Sequence, residues 1–98
     1  MKLGINLLCL AGHIDESHLP QIERIAEIGY DHVEIPVMRG DPDHYAWLGE
    51  RLAGFGLGRA QTSIVPDPDA NPLSEDASVR QRGLDHLSWI QDCAEALG

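Results

Sequence analysis

Residues 29–36, Gly29-Tyr30-Asp31-His32-Val33-Glu34-Ile35-Pro36, decide how the whole chain reads. A glycine able to close a helix is followed by a short apolar run, and that run carries one carboxylate, Glu34. Upstream, Leu19, Ile22, Ile25 and Ala26 fall on one helical face, with Glu23, Arg24 and Glu27 outside it. Gly29 then supplies a left-handed stop. Downstream, Asp41-Pro42-Asp43 is a helix start: a capping aspartate, a proline at the first position and a second acid in the first turn. The segment between, residues 32–37, is therefore a strand joining two helices. Val33, Ile35 and Val37 alternate in it against Glu34.

The same punctuation recurs along the chain. Residues 2–10 are nearly continuously apolar, through Leu3, Ile5, Leu7, Leu8 and Leu10, which predicts a first strand covered on both faces. Asp15 or Ser17 can cap the helix that follows, with Pro20 in its first turn. The second helix turns Tyr45, Leu48, Leu52 and Phe55 inward, and glycines 54, 56 and 58 lead into a third strand over 59–65. Ser74 can cap a third helix running towards Leu97, with Val79, Gly83, Leu87, Ile90, Ala94 and Leu97 as its inner stripe.

Strand and helix thus alternate three times, which means a parallel sheet with right-handed crossovers. After the first strand the chain reads Cys9-Leu10-Ala11-Gly12-His13, with no glycine-rich phosphate turn, so a nucleotide-binding open sheet is disfavoured. A (β/α)8 TIM barrel needs no such turn but takes about 250 residues. The expectation is an α/β chain, residues 1–98, forming one incomplete domain: the first three βα units of such a barrel.

Sixteen acids against seven bases give a net charge of -9, which argues against nucleic acid or an anionic membrane as partner. The opening residues are too short for a membrane span and lack a signal cleavage site. Cys9 and Cys93 belong to no ligand cluster and read as two buried free thiols of a cytoplasmic protein.

In a barrel the chemistry sits at the C-terminal ends of the strands and on the loops after them. The candidates are Asn6 and the His13 loop, Glu34 and the loop from Met38 to Asp43, and Thr62, Ser63 and Asp67. Glu34 is the sharpest, because burying an unpaired carboxylate costs several kcal/mol. It reads either as an acceptor for a polyol lining a pocket or as a structural acid paired with Arg39, Arg59 or a backbone amide. No two histidines have the spacing that places both rings on one helix face for a metal. His18, His44 and His86 read as solvated helix residues, and His13 stays open. Capping explains Asp41 and Asp43, and Trp47 and Trp89 read as packing residues. Ser63 has no visible histidine or lysine to activate it as a nucleophile.

Three segments carry a resemblance: Lys2-x-Gly4-Ile5-Asn6, residues 25–34 ending in Gly29-Tyr30-Asp31-His32-Val33-Glu34, and Leu73-Ser74-Glu75-Asp76-x-x-Val79-Arg80. They resemble the xylose-isomerase-like sugar isomerase/epimerase superfamily of TIM barrels, and within it look most like the ketose (D-tagatose and D-psicose) 3-epimerases. Hydroxypyruvate isomerase, inosose dehydratase and 3-dehydroshikimate dehydratase are the alternatives inside the superfamily. A non-catalytic, self-associating α/β module is the alternative outside it.

The resemblance implies a sugar substrate, a homo-oligomeric parent enzyme and a divalent metal (manganese, cobalt or magnesium). Two glutamates, an aspartate and a histidine hold that metal, and the glutamates move the C3 proton through an enediolate. Those ligands come from strand four onwards, beyond Gly98. No catalytic or metal-binding residue, no metal and no activity are therefore expected in this chain alone. The resemblance also carries over a pocket wall of Asn6, Ile14, Glu34 and Ser63. Asn6 and Ile14 stand where the sugar epimerases often carry aromatics.

Overall fold

The computed structural model describes all 98 residues, Met1 to Gly98. Three parallel strands lie in the order of the chain: β1 (Gly4–Asn6), β2 (His32–Pro36) and β3 (Gly58–Thr62). Each is followed by a helix: α1 (Leu19–Ile28), α2 (Pro42–Gly54) and α3 (Ala77–Leu97). The register sets Asn6 opposite Glu34, Glu34 opposite Ala60, and Pro36 opposite Thr62.

Sheet and helices enclose one apolar layer. Val33, Ile35 and Val37 are fully buried against Ile22 of α1, Tyr45, Leu48 and Leu52 of α2, and Cys93 and Leu97 of α3. Strand residues alternate between faces, so all three helices lie on the Val33–Ile35 side and none covers the other. The molecule is elongated, 48 × 25 × 23 Å. Its radius of gyration of 15.0 Å exceeds the roughly 13 Å of a compact domain of this length.

The caps follow local chemistry. Gly29 closes α1 at φ 114°, a backbone angle that side chains resist. Asp41 caps α2, its carboxylate accepting the His44 amide, with Pro42 just inside. Gly83 packs where a Cβ would lie 2.3 Å from the Pro72 nitrogen, so α3 and the loop before it approach only because the side chain is absent.

Four expectations are corrected. The first strand does not extend over 2–10. Asn6 ends it by accepting the Leu8 amide on its side-chain oxygen, which winds Leu7–Cys9 into a 3-10 turn. That turn rotates Cys9 to the surface, so only Cys93 is a buried thiol. Asp76, not Ser74, caps α3: its carboxylate accepts the Ser78 and Val79 amides, while the Ser74 hydroxyl accepts the Asp76 amide one turn earlier. The inner stripe of α3 runs through Gly83, Ile90, Cys93 and Leu97, and Leu87 is 41% exposed.

Candidate functional site

Three polar side chains meet on the uncovered face of the sheet, one from each strand. Asn6 closes β1, Thr62 closes β3, and Glu34 lies at the middle of β2. The Asn6 amide Nδ2 donates to Glu34 Oε2 at 3.0 Å and to Thr62 Oγ1 at 3.3 Å. The Thr62 hydroxyl donates to the same Glu34 oxygen at 2.9 Å. Both donors thus fix Oε2, and no protein donor occupies Oε1. Asn6 is oriented in turn by the Leu8 amide on its Oδ1.

This arrangement decides how the Glu34 carboxylate is held. Neither Arg39 nor Arg59 pairs with it; Arg59 donates to the Leu97 carbonyl at the end of α3. Two neutral donors orient the acid and leave one of its oxygens free, on a half-buried face at the C-terminal side of the strands. A carboxylate so placed can accept hydrogen bonds from ligand hydroxyls.

The other carried-over residues lie elsewhere. Ile14 is buried in the apolar layer, 1% exposed, and only its carbonyl has a polar partner, His44 Nε2 at 2.8 Å. Ser63 donates its hydroxyl to the Val37 carbonyl at 2.6 Å, tying the ends of β2 and β3 together. Asn6 and Glu34 are therefore brought together; Ile14 and Ser63 are not part of that cluster. Thr62, a candidate in the sequence alongside Ser63, stands in the place that the resemblance gives to Ser63. Strand alternation could have signalled this, since a residue an even number of positions before it, Ala60, pairs with Glu34.

Side chains of α2 and α3 pin the loops at the same end of the sheet. His13 stacks on His44 with ring centroids 4.5 Å apart. The Tyr45 hydroxyl donates to the Arg39 carbonyl, and Trp89 Nε1 donates to the Gly40 carbonyl at 3.1 Å. Burial pushes the Tyr45 phenol up to about 12. Burial, then the adjoining His44 ring and the Arg39 charge, hold the His13 imidazole below its usual value. His44, His18 and His86 are not merely solvated. His44 holds the Ile14 loop, His18 completes a capping box with Asp15, and His86 reaches the Ile64 carbonyl.

Nowhere do three His, Cys, Asp or Glu side chains come together to hold a metal ion. A single carboxylate with an amide and a hydroxyl does not match the four-ligand set that the resemblance implies. No helix is long and apolar enough to cross a membrane.

No protein-family model matches the chain, and no curated protein matches it. Among solved structures it is similar to a crystal structure of D-psicose 3-epimerase determined in the presence of D-fructose. The TM-score is 0.75 at 22% identity, over 99% of this chain and 34% of that one. The likeness establishes the fold: an α/β chain whose three parallel strands and interleaved helices match the first βα units of a TIM barrel. The chain spans about a third of the length of the structure it matches.

Proposed function

We propose that this chain forms the first three βα units of a sugar isomerase or epimerase barrel, acting on a ketose at C3, and supplies one wall of its sugar pocket. The observation that carries the reading is the Asn6–Glu34–Thr62 cluster, which presents a free carboxylate oxygen on the uncovered face. Polyol hydroxyls are donors that such an oxygen accepts. The solved structure it resembles is a D-psicose 3-epimerase determined in the presence of D-fructose, which makes a ketose the ligand to try first. The divalent metal and the acid–base pair belong, in this reading, to βα units other than these three. Ile14 and Ser63 act on the pocket through the backbone they hold. A cytoplasmic location and a homo-oligomeric parent are part of the same proposal.

The test is a titration of the chain with D-psicose and with D-fructose, followed by NMR. The amide signals of Asn6, Glu34 and Thr62 are expected to move together, and Glu34→Ala to abolish the movement. Signals that stay still, or that move equally in Glu34→Ala, would sink the proposal. Ketose epimerisation by the pure chain, abolished by a chelator, would show that the chemistry does not need the further units.

A second reading rests on a different observation. The sheet ends in two unpaired edges, β1 and β3, and α3 exposes Leu84 and Leu87, 47% and 41%. Such a chain can act as a self-associating module without catalysis. Sedimentation of the pure chain tests it: stable association with no sugar response at Glu34 favours the module.

A further inference from the structure

A cleft of about 360 Å³ lies between the loops that follow β1 and β2, lined by Ala11, Gly12, His13, Met38 and Arg39. Its volume is in the range of small-molecule sites. Its two polar side chains stand out when the cations of the chain are accounted for in turn. Of seven basic side chains, Arg24 pairs with Glu27, and Arg59, Arg80 and Arg82 donate to backbone carbonyls. Lys2, Arg39 and Arg51 are left without a partner, and of these only Arg39 lines a cleft. The histidines divide the same way. His18, His44 and His86 have polar partners. Of the remaining two, His13 lines that same cleft, and its Nδ1 is buried with no partner.

We propose that this cleft receives an oxyanion, the phosphoryl or carboxylate end of a sugar derivative, held by the Arg39 guanidinium and the His13 ring. An unpaired guanidinium is matched in shape and charge to either group. With Nδ1 sealed in, Nε2 is the His13 nitrogen left to meet a ligand. Neither nearby acid forms an ion pair with Arg39 or His13. Asp15 is engaged by the Ser17 amide and hydroxyl, and Asp41 by the His44 amide. The net charge of -9 works against anions in general, so binding here has to come from local contacts rather than from the overall field. The proposal rests on the sugar-wall reading, because it assigns the far end of the same ligand. Arg39 lies in the loop that leaves β2, the strand that carries Glu34.

The experiment titrates the chain at constant ionic strength with D-fructose 6-phosphate, gluconate, inorganic phosphate and D-fructose, reading the His13 and Arg39 side-chain signals by NMR. Sugar phosphate or gluconate is expected to move both signals, the tighter of the two naming the anion. Arg39→Gln, an exposed substitution, is expected to weaken that binding about tenfold. D-Fructose is expected to leave His13 and Arg39 still. Three results overturn the proposal: no movement with any anion, equal affinity in Arg39→Gln, or sugar derivatives binding no tighter than inorganic phosphate. Failure of the sugar-wall reading shows separately, as the absence of any D-fructose response at Asn6, Glu34 and Thr62.

Discussion

Thr62 on β3 donates its hydroxyl to Glu34 on β2, Oγ1 to Oε2 at 2.9 Å, and so links two strands through side chains as well as backbone. Thr62→Val keeps the shape and removes the donor. The expected cost is about 0.5–1.5 kcal/mol, measured by urea unfolding. The Asn6 contact to Glu34 at 3.0 Å remains, so ketose binding is expected to weaken without being lost. An unchanged urea midpoint would mean that solvent replaces the bond without loss.

The capping aspartate of α2 gives a second prediction. Asp41→Ala leaves the His44 amide without its acceptor, and the expected loss is about 0.5–2 kcal/mol. Asp41→Asn should recover most of it, because the amide oxygen also caps. Equal loss in both variants would point to charge rather than to the hydrogen bond.

The legible parts of the fold were those marked by residues with one strong local preference. Gly29 and Asp41-Pro42 bracket β2, and the structure places the helix end and the helix start there. The sequence alone extends the first strand too far, because Leu7, Leu8 and Leu10 are as apolar as a strand requires. What ends it is the side chain of Asn6 competing for a backbone amide two residues on. Glu34 could be singled out as a carboxylate in an apolar run. Asn6 and Thr62 could be listed as strand-end candidates but not joined to it, because each lies 28 residues away and meets it only through strand register.

Glycines 83 and 54 make a paired test of close packing. Gly83→Ala places a Cβ 2.3 Å from the Pro72 nitrogen and 2.7 Å from the Ala70 carbonyl oxygen. A loss of about 1–3 kcal/mol is expected, in the range of overpacked sites. A Cβ at Gly54, the last residue of α2, meets nothing within 4 Å. Gly54→Ala is expected to stabilise by about 0.4–1 kcal/mol through the unfolded chain. Thermal unfolding of the two variants should shift in opposite directions.

Acid should loosen the start of α3 through Asp76. The Ser78 hydroxyl, then the Val79 and Ser78 amides, hold its carboxyl below the ordinary value of 3.8. A depressed folded-state value means the stabilisation is present above 3.8 and lost as pH falls through the lower, folded-state value. Amide exchange at Ser78 and Val79 is expected to quicken in that window, and Asp76→Asn to remove the pH dependence. Exchange that stays flat through acid would refute the capping role.

Alkali acts on Tyr45 in the opposite sense. Its phenol is raised by burial from 10.0 to about 12. A raised value makes its contribution complete below pH 10 and lost as pH climbs towards 12. Tyrosinate absorbance of Tyr45, isolated with Tyr30→Phe, should appear late and together with unfolding. An early, reversible titration would show the ring to be open to water.

Adjacent residues of β2 answer to different demands. Val33 and Ile35 are sealed under the helices, whereas Glu34 between them turns to the uncovered side. A change of ligand preference could therefore be written into every second position of a strand while the alternate positions go on holding the domain together. With one face of the sheet covered and the other open, evolution can revise chemistry and preserve architecture within five consecutive residues.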